Sequence, residues 1–139
     1  MARIHLKQID QDYQFVTTDE AGQQITMDIP VDQGGHGNGV RPMQALLSAL
    51  GGCSAVDIVM ILKKQKETIE NFEMIIDGER QVGKEPALWE TIHILFKLKG
   101  TMTQERAEKA CTLSIDKYCS VAATLRAAGA VITWAVEIV

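Results

Sequence analysis

Two of the three cysteines are the residues of this chain best suited to covalent chemistry. Cys53 stands in the run Gly51-Gly52-Cys53-Ser54-Ala55-Val56-Asp57, and Cys119 in Tyr118-Cys119-Ser120-Val121-Ala122. Each is followed by a serine and then by an apolar stretch. Serine is a favoured helix N-cap, and Ser54 with Asp57 has the spacing of a capping box. The pattern predicts a thiol at the mouth of each of two helices. Free N–H groups and the helix dipole stabilise an anion there, so a thiol so placed should ionise more readily and act as a nucleophile or redox centre. Two such mouths facing each other would give a reversible disulfide, provided the Cα atoms come within ~7 Å. The same residues also suit two unrelated caps whose cysteines are small apolar core residues.

The elements that would position these thiols can be read in outline. Ile4 and Leu6 alternate with Arg3, His5 and Lys7, which predicts a strand over residues 2–9. Tyr13 to Thr18 and Gln24 to Ile29 follow as strands joined by Asp19-Glu20-Ala21-Gly22, and the three form an antiparallel meander. The glycine-dense run Gln33 to Val40 reads as a mobile surface loop, or as a flap over the thiol with His36 as a polar contact. It lacks the lysine of a phosphate-binding loop. Pro42 suits a helix start, and Gly51-Gly52 predicts a break that leaves Cys53 at the opening of a second helix. Val56 to Leu62 is apolar on nearly every helical face, so that helix belongs in a core, ending near Lys63, Lys64 and Lys66. Strands are expected at Asn71 to Gln81 and Leu88 to Lys99, with His93 on a solvent face. Thr103 reads as the N-cap of a helix to about Lys117, whose small-residue face carries Ala107, Ala110, Cys111 and Ser114. Cys111 there serves packing only. A short helix from Val121 to Ala128, capped by Gly129, precedes a last strand.

With 139 residues the chain suits one domain with its own core. A net charge of −4 and the absence of basic runs with interleaved aromatics argue against nucleic acid. No signal-like apolar segment opens the chain, and no apolar run approaches the ~20 residues that a membrane span needs. These features predict a cytoplasmic protein without a membrane partner. Three widely spaced cysteines are neither a disulfide framework nor a zinc pattern, so no metal site is expected.

Taken together, the chain resembles the OsmC/Ohr family of cysteine-based peroxide reductases. The residues that carry the resemblance are Gly34-Gly35, Pro42-Met43-Gln44, Leu46-Leu47, Gly51-Gly52-Cys53-Ser54, Leu113-Ser114 and Tyr118-Cys119-Ser120-Val121, with the order of elements over nearly the whole chain. The resemblance implies a single OsmC-like domain over residues 1–139. Its class would be α+β, with antiparallel strands wrapped around a long buried central helix, in an intertwined homodimer whose two thiol sites draw on both subunits. It implies a thiol-dependent hydroperoxide reductase of the stress-response type. Cys53 would be the peroxidatic cysteine, oxidised to a sulfenic acid. Cys119 would resolve it to a disulfide, and a dithiol reductant of lipoyl or thioredoxin type would restore both thiols. No metal or organic cofactor is implied. Two positions depart from the peroxidase branch. Met43 stands where that branch has an acid after the helix-initiating proline, and no arginine lies between Arg3 and Arg41. Arg41 beside Pro42 is the candidate substrate-binding cation in its place. The departures keep an alternative in view, a non-peroxidase OsmC-like protein that binds a small ligand or senses oxidation at the same cysteine cleft.

Overall fold

The glycine pair does not break the central helix. In the computed structural model, which describes residues 1–139, Pro42–Lys64 is one continuous helix, α1. Pro42 opens it, and the Arg41 carbonyl accepts the Ala45 N–H at 3.0 Å. Lys63 and Lys64 close it at the negative end of the dipole. Gly51 is buried, and a Cβ added there would lie 2.8 Å from Ile76 Cδ1. Its role is close approach to a strand, not helix termination. The ~1 kcal/mol propensity cost of a helical glycine is outweighed by that packing. A buried stripe at Leu50, Ser54, Ile58 and Leu62 runs down α1, while Val56 and Met60 on other faces remain more than half exposed. The prediction of a helix buried all round therefore holds for one face within this chain. Unbroken, α1 has 23 residues and is long and apolar enough to cross a bilayer by length and composition, which corrects the expectation that no such run exists.

The chain divides within α1 into two units, Met1–Leu46 and Leu47–Val139. In the first, β1 (His5–Gln8), β2 (Phe15–Thr18) and β3 (Gln24–Met27) form the expected antiparallel meander in the order β1-β2-β3. The glycine-dense loop is laced down. Asp28 is fully buried, and its carboxylate accepts the N–H groups of Ile29 at 2.7 Å, His36 at 3.3 Å and Asn38 at 3.1 Å. Val40 bridges to Met27. A Cβ at Gly35 would fall 2.1 Å from the Ile29 carbonyl oxygen, so the chain can pass there only as glycine. The run lies at the surface as expected, with Gln33, Gly34, His36, Gly37 and Asn38 exposed, and it also supplies the donors that a buried carboxylate needs.

In the second unit, β4 (Ile69–Arg80), β5 (Trp89–Gly100) and β6 (Val131–Ile138) form a sheet in the order β4-β5-β6. β4 and β5 are antiparallel, whereas β6 lies parallel to β5. The crossover that parallel pairing demands is made by α2 (Gln104–Leu113), a π-helical turn (Ser114–Tyr118) and α3 (Ser120–Ala127). Alternation along β5 buries Ile92, Ile94, Phe96 and Leu98 and exposes His93, which contacts Thr133 at 2.8 Å. Phe96 packs between Phe72 and Trp134, with ring centroids 6.4 and 6.2 Å away. Ala107, Ala110 and Cys111 bury the small-residue face of α2.

Candidate thiol site

Cys53 and Cys119 come together: both are free thiols, and Cys53 lies close enough to Cys119 to act on its ionisation. Their settings are opposite to one another. Cys119 is the N-cap of α3, and its Sγ accepts the Ala122 N–H at 3.4 Å. It is 3% exposed. Cys53 is half-buried in the middle of α1, more than two turns from either end. Only one of the two predicted helix-mouth thiols therefore exists, because α1 runs through the glycine pair. The predicted capping box fails for the same reason. Ser54 is buried and returns its hydroxyl to the carbonyls of Leu50 at 2.8 Å and Gly51 at 3.1 Å, the back-bonding open to a serine inside a helix.

Helix capping does not make Cys119 acidic. Burial pushes its thiol up to about 11 and the contact with Cys53 adds to this; the N–H groups of Ala122 and Val121 oppose the shift without cancelling it. Cys119 thus keeps its proton near neutrality, while Cys53 is the sulfur of the pair with a solvent-facing side. Cys111, fully buried in α2, is pushed up to about 12 by burial and by the nearby Glu108. Its reading as a packing residue stands.

Two residues that the sequence assigned to other roles, Asp57 to a capping box and Ser114 to a packing face, join the thiols' supports. Ser114, fully buried, places its hydroxyl 3.0 Å from Asp57 Oδ2 and 3.1 Å from the Ser54 carbonyl oxygen. Its own carbonyl accepts the Cys119 N–H at 2.7 Å. The signal in the sequence was a serine continuing the small-residue face of α2, since a hydroxyl buried there needs an acceptor. Asp57 lies one helical turn beyond Cys53 on the same face of α1. A cavity of about 560 Å³ continues from it, lined by Met60, Ile61 and Lys64 of α1 and by Leu113 and Tyr118.

Arg41 is exposed, immediately before α1, and its guanidinium makes no ion pair. Cys53 follows twelve residues later, more than three turns along that helix. His36 is bonded through Nε2 to Asp12 at 2.8 Å, with Asp10 at 3.8 Å. The hydrogen bond to Asp12 raises the His36 pKa. These three side chains offer ligand atoms within 4.8 Å of one another, a grouping that sequence spacing did not reveal.

Comparison with known proteins agrees with this architecture. The family model described as OsmC-like protein matches residues 35–135. Protein YhfA of Escherichia coli K12 is 36% identical over 116 residues, covering 82% of each chain. The crystal structure of a hypothetical protein from Aquifex aeolicus VF5 superposes with a TM-score of 0.81 at 29% identity, covering 100% of this chain and 98% of that one. An organic hydroperoxide resistance protein OsmC from Legionella pneumophila shares the fold, with a TM-score of 0.70 at 15% identity over 99% of this chain and 96% of that one. The matched segment holds both thiols and every element that supports them, and on these grounds the chain belongs to the OsmC-like protein family.

Proposed function

We propose that this protein is a two-cysteine hydroperoxide reductase in which Cys53 reacts with the peroxide and Cys119 resolves the product. The observation that carries the reading is the contact between two free thiols of unequal exposure. The Cys53 sulfur attacks one oxygen of the O–O bond as that bond breaks. Sulfur loses two electrons and becomes a sulfenic acid, and the other oxygen leaves, protonated, as alcohol or water. The Cys119 sulfur then displaces the sulfenic hydroxyl, which departs as water with the Cys119 proton, and a disulfide forms. A dithiol of lipoyl or thioredoxin type reduces it by two successive exchanges, leaving as its own cyclic disulfide. Arg41 is proposed as the cation that steadies charge on the departing oxygen, in a site completed by a second copy of the chain. The exposed apolar residues of α1, Val56 and Met60, support that homodimer. The name of the Legionella relative, an organic hydroperoxide resistance protein, supports an organic peroxide as substrate.

The test is to mix reduced protein with stoichiometric cumene hydroperoxide, count thiols and map the bridge by mass spectrometry. Rapid loss of two thiols, with Cys111 untouched, is expected. Cys53→Ser should lower peroxide consumption by at least 10³-fold, since covalent catalysis has no substitute nucleophile in the pair. Undiminished turnover in that variant overturns the reading. A second reading, ligand binding or oxidation sensing at the same cleft, is favoured by the cavity beside Asp57 and by the placement of Cys53 away from a helix mouth. Slow, unselective oxidation together with saturable ligand binding would select it.

A further inference from the structure

Resting on the two-cysteine reading, we propose that Ser114 is the positioning residue that holds Cys119 against Cys53, with Asp57 as its anchor. The geometry is a three-point joint. The Ser114 N–H bonds back to Ala110 and Cys111 carbonyls and so belongs to α2. Its hydroxyl proton is shared between the Asp57 carboxylate and the Ser54 carbonyl, both on α1 beside Cys53. Its carbonyl takes the Cys119 N–H at 2.7 Å across the π-helical turn. One buried residue thereby ties the backbone that carries the resolving thiol to the helix that carries the attacked one.

The π-helical turn makes that joint necessary. Its hydrogen bond spans five residues where an α-helix spans four, a local irregularity often found at functional sites. In an α-helix continued past Ser114, the Cys119 N–H would bond to Ile115. Here it bonds to Ser114, and the Ser114 hydroxyl fixes that wider turn to α1. Without the hydroxyl, Asp57 Oδ2 and the Ser54 carbonyl lose a common donor, and the five-residue turn is free to relax. Cys119 then spends less time at bonding distance from Cys53. The step affected is the one in which the Cys119 sulfur bonds to Cys53, the S–O bond breaks and water leaves.

The readout is the equilibrium of the disulfide against a defined dithiothreitol couple, with the lifetime of the Cys53 sulfenic acid trapped by dimedone. Ser114→Ala is expected to lower the effective concentration of one thiol for the other about tenfold, a rise of about 30 mV in reduction potential. The trapped sulfenic acid should accumulate to the same extent. Asp57→Ala should move both readouts in the same direction, and Asp57→Asn, which keeps an oxygen acceptor for the Ser114 hydroxyl, should restore them. The Asp57 pair keeps the test decisive even if the buried Ser114→Ala change impairs folding. An unchanged potential in Ser114→Ala and Asp57→Ala overturns the inference while leaving the two-cysteine reading intact. If the wild-type protein itself forms no Cys53–Cys119 disulfide, it is the two-cysteine reading that fails.

Discussion

Burial sorts the three thiols into different chemical classes. Cys53 is the half-exposed one, and iodoacetamide at pH 8 is expected to label it first in the native protein, with Cys111 labelled only on unfolding; peptide mapping checks this. Cys111 also carries a pH signature. Its thiol has an ordinary value of 9.0 and is pushed up to about 12 when folded, so above pH 9 the unfolded state gives up the proton first. The stability linked to that protonated thiol is complete below pH 9 and is lost as pH rises toward 12. Cys119, also raised, acts in the same direction. Cys111→Ala should therefore lose less stability than wild type between pH 9 and 11 in urea unfolding, by up to roughly 1 kcal/mol per pH unit. Asp28 has the opposite sign. Burial opposes its ionisation, but the N–H groups of Asn38, Ile29 and His36 hold its pKa below the ordinary carboxylate value. Asp28→Asn should lower Tm at pH 7, and the deficit should shrink as the pH falls below 4.

At the scale of elements, adjacent glycines in α1 have different duties. A Cβ at Gly52 meets nothing within 4 Å, whereas one at Gly51 crowds Ile76. Gly52→Ala should stabilise the fold by about 0.5–1 kcal/mol through helix propensity alone. Gly51→Leu should destabilise it by about 1–3 kcal/mol, because α1 must lift from β4 to admit the side chain. Chemical denaturation of both variants decides between the packing role assigned to Gly51 and a helix that merely tolerates it. Gly78 on β4 repeats the device: a Cβ there would lie 2.9 Å from the Trp89 ring and 3.2 Å from Leu47 Cδ1. Close approach of α1 to the sheet brings Ser54 and Asp57 within reach of Ser114, and so bears on the thiol pair.

For the whole molecule, apolar side chains left uncovered by the single chain define the expected assembly. Val56 and Met60 lie exposed on α1, and Ile4, Leu6 and Ile25 on the first unit. The proposed homodimer, by covering α1, would account for a helix with so few polar residues in a chain of ordinary composition. Sedimentation velocity is expected to give a dimer at micromolar concentration. Met60→Glu, which would bury a charge in that interface, should weaken the dimer at least tenfold. A wild-type monomer would instead leave the α1 face to another partner.

Much of this was legible in residue patterns. Period-two alternation placed β4 and β5 and assigned their faces, Thr103 and Gly129 marked helix ends, and the Ala107, Ala110, Ser114 series announced a buried α2 face. The thiol motifs with the order of elements identified the family. Such features are local, because they depend on the pleat, the helical repeat and capping chemistry. Long-range contacts decided the remainder. Propensity argued that Gly51-Gly52 ends a helix, but Ile76, distant in sequence, supplies the packing that makes glycine the residue that fits inside one. That one outcome moved Cys53 from a helix mouth to mid-helix. The parallel seat of β6 and the link from Asp57 to Ser114 join residues far apart along the chain. The sequence by itself determined which residues could do thiol chemistry; the tertiary structure decided which of them meet, because burial and hydrogen-bond satisfaction are properties of neighbours in space.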